Sequence, residues 1–236
     1  MITHIVVGAL ATNCWVYPLE KEEAPELWAS YKDAFSSASS FKGICALIDP
    51  GADPRAVTSR LERLRLFPCC ILLTHGHFDH VAGLAGVASY YRDTYGFAPE
   101  IAIHQGDASS LGAGALAVHQ ASFTIAAGNT AYVDALWDPL PPPSRLLAEG
   151  DRIGPFTALH LPGHSPGSAG FYHEGAGDLL SGDVLFAGGI GRTDLPGGDW
   201  ETMKASLQRL FRMDPGIKVY PGHGPATTIG GDHSLF

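Results

Sequence analysis

The chain is short of cysteine, of basic residues and of long apolar runs, and each shortage closes off a class of protein. Its four cysteines (Cys14, Cys45, Cys69, Cys70) show no CxxC spacing and are too few for a disulfide framework in 236 residues. Buried free thiols in a reducing cytosol are the plain reading, so a cytoplasmic protein is expected. No apolar stretch approaches the roughly 20 residues that span a bilayer. The apolar start, Ile5 to Ala11, has neither a basic flank nor a clear cleavage site, and it reads as a first strand. Lys and Arg number 15 against 24 Asp and Glu, a net charge of −9 that repels phosphate backbones and anionic membranes. Neither nucleic acid nor a membrane is an expected partner, and nothing in the sequence speaks to oligomeric state. An internal repeat and a flexible interdomain linker are both absent.

What is present is enough apolar material, 45% of residues, for one sizeable core, and a single domain over 1–236 is expected. Short apolar strands alternate with helices and Gly-rich turns, the pattern of layered α/β architecture. Strands are predicted at Ile2–Val7, Cys14–Tyr17, Ile44–Ile48, Ile71–Leu73, Ile101–His104, Thr157–Leu161, Ala169–His173, Leu179–Leu180 and Lys218–Tyr220. Asp53-Pro54 supplies an N-cap and an N1 proline for a helix to about Leu64. Asp199 can cap a second helix, in which Met203, Leu207, Leu210 and Phe211 share one face. A third runs from Val81 to about Tyr95. Glu20 to Ser40 and Gly106 to Ser144, the latter ending in three prolines, read as insertions over or beside a site; a lid and a packed insertion fit the second equally.

The chemistry is concentrated in Leu72-Leu73-Thr74-His75-Gly76-His77-Phe78-Asp79-His80. An apolar strand ends and at once releases three imidazoles and a carboxylate, which are costly to bury without a shared partner. A divalent metal is such a partner. His75 and His77 lie two apart on a turn and can converge on one ion, while Asp79 and His80 emerge on the next turn and can address a second. Three further candidates follow strand ends beside glycine: Gly163-His164, Gly182-Asp183 and Gly222-His223. Five His and two Asp suffice for two ions, although spacing alone leaves the allocation open. The remaining histidines, His4, His104, His119, His160, His173 and His233, read as surface or satisfied core residues.

His75-Gly76-His77-Phe78-Asp79-His80 resembles the HxHxDH signature of the metallo-β-lactamase superfamily, and His164, Asp183 and His223 fall in the order in which that family supplies its other ligands. The resemblance covers nearly the whole chain. It implies an αββα sandwich, two mixed β-sheets flanked by helices, with a dinuclear site at one edge. It also implies His75, His77 and His164 on one metal, Asp79, His80 and His223 on the other, and Asp183 bridging. Asp49, in Ile48-Asp49-Pro50-Gly51, is then a carboxylate supporting the ligands, though the same string could simply form a turn. Two divalent ions roughly 3.5–4 Å apart would hold a bridging hydroxide as nucleophile, with Asp79 best placed to orient it. Zinc is the default metal for these ligands, and iron and manganese suit them too.

Substrate class rests on finer motifs. Asp183 is an oxygen ligand where many true zinc β-lactamases use cysteine, which turns the reading away from lactams. Gly189 to Asp199, containing Gly191-Arg192-Thr193-Asp194, and the ending Tyr220 to Gly230 are similar to single-domain, glyoxalase II-like hydrolases. That resemblance implies hydrolysis of a thioester such as S-lactoylglutathione, a small-molecule substrate. Two-domain glyoxalase II enzymes grip glutathione with a helical C-terminal domain, whereas only 13 residues follow His223 here. Arg192 stands where those enzymes place a basic glutathione-contacting residue; an internal pair with Asp194 is the equal alternative. The rival on the same scaffold is a persulfide dioxygenase, with one iron held by two His and one Asp and the same Gly-Arg-Thr-Asp run.

Overall fold

A computed structural model describes residues 1–31 and 41–232. Part of the predicted 20–40 insertion, and His233, lie outside the described residues. Fourteen strands are present among the described residues. The first sheet runs in the order β1 (Thr3–Val7), β2 (Thr12–Leu19), β3 (Gly43–Ile48), β4 (Leu66–Leu73), β5 (Glu100–His104), β6 (Arg145–Leu147). The second runs β14 (Thr227–Thr228), β13 (Lys218–Pro221), β10 (Asp178–Gly182), β9 (Ala169–His173), β8 (Phe156–His160), β7 (Arg152–Ile153). Both are mixed: β3 to β6 pair in parallel and β1 to β3 antiparallel, while β10 and β13 form the parallel pair of the second sheet. A small hairpin, β11 (Leu185–Phe186) with β12 (Gly189–Ile190), stands apart from both.

Strand alternation builds the layers. In β10 Leu180 enters the larger apolar cluster with the inner face of the first sheet, while its neighbour Leu179 points the other way, into a second cluster. Helix α7 (Trp200–Leu210) seals that second cluster with Met203, Leu207 and Leu210, and Phe211 packs at its margin, as the spacing predicts. On the opposite side α2 (Pro54–Leu64) and α4 (Leu84–Tyr95) bury Val57, Leu61, Val87 and Tyr91 in the larger cluster. The result is helix, sheet, sheet, helix, as expected. The other helices are α1 (Pro25–Ser30), α3 (Phe78–Val81), α5 (Ala115–Ala127), α6 (Ala131–Leu136) and α8 (Ile229–Asp232). None of the described helices is long and apolar enough to cross a membrane.

Three local expectations are corrected. Asp53 does not cap α2 through its side chain; it adopts a left-handed conformation, and its Oδ2 accepts the Gly8 amide at 2.9 Å instead, tying the first hairpin to the helix. The helix expected from Val81 to Tyr95 is broken at Ala82-Gly83. There the Gly83 amide donates to the Pro50 carbonyl at 2.9 Å, and a side chain at Gly83 would lie 2.7 Å from that oxygen. β4 begins at Leu66 rather than Ile71. Pro68 cannot donate to the ladder, and the register shifts beside it, Cys45 facing Pro68 but Ala46 facing Cys70.

Candidate metal centre

Every candidate ligand follows a strand end on one edge of the sandwich: His75 to His80 after β4, His164 after β8, Asp183 after β10, His223 after β13. Asp49 follows β3. The structure brings all seven ligand candidates together in three overlapping groups: His75 with His77 and His164, His75 with His80 and Asp183, and Asp79 with His80 and His223. Within each group the donor atoms lie within 4.8 Å of one another. His164 Nε2 is 2.8 Å from His77 Nδ1 and 3.2 Å from His75 Nε2. His223 Nε2 is 3.3 Å from Asp79 Oδ2 and 3.5 Å from Asp183 Oδ2, and His80 Nε2 is 3.6 Å from Asp79 Oδ2.

These separations fit a cation. Ligands at about 2.0–2.1 Å around a tetrahedral ion lie roughly 3.3–3.4 Å from each other, in the middle of the observed range. Two fully buried atoms, His80 Nε2 and Asp183 Oδ1, have no hydrogen-bond partner although they stand only 3.4 Å apart. Orphaned polar atoms at such depth are costly unless an ion completes them.

The far nitrogen of most rings is already committed. His80 Nδ1 donates to Asp49 Oδ2 at 3.0 Å, His164 Nδ1 to the Arg192 carbonyl at 2.7 Å, and His223 Nδ1 to the Ala11 carbonyl at 3.3 Å. Thr74 gives its hydroxyl proton to Asp49 Oδ2 at 2.6 Å and so accepts from His75 Nδ1 at 3.1 Å. Each of these rings therefore turns Nε2 inward as a lone-pair donor. His77 alone turns Nδ1 inward. Asp49 also accepts the Thr74 amide at 2.8 Å and is held at φ 52°, a left-handed conformation uncommon outside glycine. It touches His80 but belongs to none of the donor groups, the place the resemblance implies for it.

Electrostatics divide the cluster. Burial works against charge on His80, yet Asp183, Asp79 and Asp49 outweigh it and raise its pKa well above the imidazole range. Against the same burial, hydrogen bonds to Asp183 and Asp79 push His223 up to about 10. Burial and neighbouring imidazoles drive His75 well below its ordinary value and His77 down to about 3. Burial alone would raise Asp79, but His80 and His223 bring it down to about 2, and against the same burial His80 and His223 hold Asp183 well below its ordinary value. The carboxylates thus stay ionised and stabilise positive charge, for which protons and metal ions compete.

Close approach fixes two glycines. A Cβ on Gly222 would fall 2.1 Å from Asp183 Oδ1, and one on Gly163 (φ +134°) would fall 2.3 Å from the Met203 Cα of α7. The first hairpin closes this side. Thr12 bridges to His223 and donates to Asp79 Oδ2 at 3.1 Å, and Asn13 and Trp15 both bind the Pro221 carbonyl.

Sequence reasoning missed Asp107. It is buried beneath the ligand turns and accepts the Gly76 amide at 2.8 Å, the Ser165 hydroxyl at 2.6 Å and the Gly167 amide at 2.7 Å. One carboxylate thus locks the His75–His77 turn to the His164 turn. An Asp after Gly106 carries no local signal of this role. Arg192 stands at the rim, its guanidinium held by both oxygens of Asp194 at 2.7 and 2.8 Å, the alternative weighed for it. The unassigned histidines sit elsewhere: His4 packs on Trp15, His104 stacks on His160, His119 donates to the Ser110 carbonyl and His173 meets Tyr17.

The sequence profile of the metallo-β-lactamase superfamily matches residues 41–223, and the chain belongs to that superfamily. It is 36% identical over 197 residues to a probable metallo-hydrolase, YqgX of Bacillus subtilis, covering 78% of this chain and 82% of that one. It is 35% identical over 190 residues to the hydroxyacylglutathione hydrolase GloC of Haemophilus influenzae, with the same coverage. Among solved structures, TTHA1623 in a di-iron-bound form superposes with a TM-score of 0.71 at 35% identity, covering 97% of this chain and 96% of that one. The BLEG-1 B3 metallo-β-lactamase does so with 0.73 at 31%, covering 98% and 95%.

Proposed function

We propose that the protein is a dinuclear metal-dependent hydrolase of thioesters, for which S-lactoylglutathione is the reference substrate. The observation that carries this reading is the three overlapping His/Asp donor groups, joined through His75 and His80, with a buried Asp183 in the middle group whose Oδ1 has no partner. His75, His77 and His164 would hold one ion, Asp79, His80 and His223 the other, with Asp183 between them. Zinc is the proposed metal, and the di-iron form of the relative TTHA1623 keeps iron in view. Bound divalent ions supply Lewis acidity toward a carbonyl oxygen and lower the pKa of water toward neutrality.

The chain's own residues do the rest. Asp79 Oδ2, steadied by Thr12 and facing His223, is placed to orient the attacking water. Asp49 and the Arg192 carbonyl fix the tautomers and ring orientations of His80 and His164. Water adds to the acyl carbon, the carbon–sulfur bond breaks, and a carboxylic acid and a thiol leave. The name of the GloC relative supports the thioester, and four unpaired buried cysteines fit the reducing cytosol proposed as its compartment.

The test is elemental analysis of the purified protein beside hydrolysis of S-lactoylglutathione, cleavage of a chromogenic cephalosporin, and oxygen uptake with glutathione persulfide. About two metals per chain with thioester cleavage is expected. One iron per chain with oxygen consumption, or lactam cleavage without thioester cleavage, would overturn the reading.

A further inference from the structure

A cleft of about 420 Å³ opens over the donor cluster, with His77, Asp79, His164, Asp183 and His223 on its floor. Its walls are of another character. Leu10, Phe123, Ala126, Ala127, Phe186 and Leu195 line them. Three of these come from α5, which also adds Ser122 to the lining and whose sequence Ala115 to Ala127 holds no Asp, Glu, Lys or Arg. Phe123, Ala126 and Ala127 stand at i, i+3 and i+4, so one stripe of the helix faces the cleft. Phe123 is seated by Tyr132 and Phe78, with ring centroids 5.2 and 6.2 Å away. Among the lining residues Leu10 is 46% exposed. Apolar surface left open above a polar catalytic floor is the form of a site built for an apolar ligand arm.

Charge argues the same way. Glutathione carries two carboxylates and an ammonium, and holding it calls for cations. Among the residues lining the cleft the only Lys or Arg is Arg192, and both hydrogen bonds of its guanidinium go to Asp194. A substrate carboxylate would have to displace that pair, on a protein of net charge −9. Of the two arms of a thioester, the biological thiol carries carboxylates or phosphates, so the acyl arm is the one that suits an uncharged wall.

We infer that the α5 wall selects acyl thioesters by an apolar acyl chain, ahead of glutathione conjugates of small hydroxy acids. This rests on the thioesterase reading and narrows its substrate class. Phe123 and Ala126 are the residues that set the preference, acting on binding of the acyl chain and not on bond cleavage. Hydrolysis consumes one water and releases the fatty acid and the free thiol.

The experiment uses the metal-loaded protein and two readouts. The first is kcat/KM for acetyl, butanoyl, hexanoyl and octanoyl thioesters of one uncharged thiol, N-acetylcysteamine, beside S-lactoylglutathione. The second is calorimetric binding of the product acids acetate to octanoate, which needs no turnover. Each added methylene is expected to raise kcat/KM and tighten acid binding by about two- to fourfold. Ala126→Lys places a cation at an exposed position near a helix C-terminus, where the helix tolerates it. It should flatten both series and raise kcat/KM for S-lactoylglutathione. Thioester turnover without chain-length dependence, with Ala126→Lys silent, would overturn the inference and leave the hydrolase reading intact. Chain-length-dependent acid binding that Ala126→Lys abolishes, with no thioester cleaved, would uphold the apolar wall and overturn the hydrolase reading. Neither turnover nor graded binding would overturn both.

Discussion

The amide of Gly76 donates to Asp107 Oδ2 at 2.8 Å, so the turn that carries His75 and His77 is anchored by a residue that can touch no metal itself. The same oxygen accepts the Ser165 hydroxyl, and Oδ1 accepts the Gly167 amide. Asp107→Asn keeps the shape but turns one acceptor into a donor that faces donors. Removing such a support for ligands typically costs ten- to a hundredfold in metal affinity. That loss is expected here, read by chelator competition, with a fall in turnover that added metal partly restores. Ser165→Ala removes one donor of three and should cost clearly less. Equal metal affinity in Asp107→Asn and the parent would show that backbone packing alone holds the turns.

Asp107 also shows what a sequence can and cannot disclose. The run from His75 to His80 was legible because its ligands are adjacent in the chain and follow an apolar strand directly. Asp183 and His223 were legible because each sits beside glycine after a strand, and Gly222 proves to be required by the approach of Asp183. The partners of Asp107 are 31, 58 and 60 residues away, beyond any local pattern. The break at Gly83 follows likewise from Pro50 crossing behind it. Helix α5 was hidden for another reason: apolar nearly all round yet partly exposed, it lacks the two-faced periodicity that marks a packed helix. Only the fold shows that Ser122, Phe123, Ala126 and Ala127 line the cleft.

Asp183 and Asp79 should separate in their effects. Asp183 reaches both halves of the cluster, with Oδ2 3.5 Å from His164 and from His223 and Oδ1 3.4 Å from His80. If the proposed two ions are bound, Asp183→Asn is expected to lower bound metal by about one per chain or more, with turnover down at least about a hundredfold. Asp79 serves one half only. Asp79→Asn should retain at least one metal and lose at least tenfold in kcat. Elemental analysis beside steady-state kinetics checks both. Two metals and full turnover in Asp79→Asn would end its role in orienting water.

Far from the site, Tyr17 links the two sheets. Its hydroxyl, on β2, donates to Asp178 Oδ2 at 2.9 Å on β10 and lies 2.8 Å from His173 Nδ1 on β9. Tyr17→Phe leaves a buried carboxylate and an imidazole each short of one partner. The cost of such loss is about 1–3 kcal/mol. A matching drop in the urea unfolding midpoint is expected, with metal content unchanged. Loss of metal in this variant would mean that the sheets shift against each other and that the ligand edge follows.

His119 supplies a pH dependence that can be assigned to one group. It is buried on α5 against Phe78, with Nε2–H donating to the Ser110 carbonyl at 2.9 Å, and burial holds its pKa below the ordinary value of 6.5. The folded protein thus keeps the ring neutral at a pH where the unfolded chain would protonate it. Above pH 6.5 the ring is neutral in both states and its contribution is fully present. As pH falls from 6.5 toward the folded value, the unfolded state binds the extra proton and stability declines, by up to about 1.4 kcal/mol per pH unit. His119→Gln can keep the bond to Ser110 and cannot titrate. Urea denaturation at pH 7.5, 6.5 and 5.5 should therefore show a shallower acid loss in the variant than in the parent. Metal release from the other histidines affects both proteins alike, so the difference between the slopes isolates His119. Parallel slopes would mean that the fold opens around α5 on acidification and lets the ring take its proton without cost.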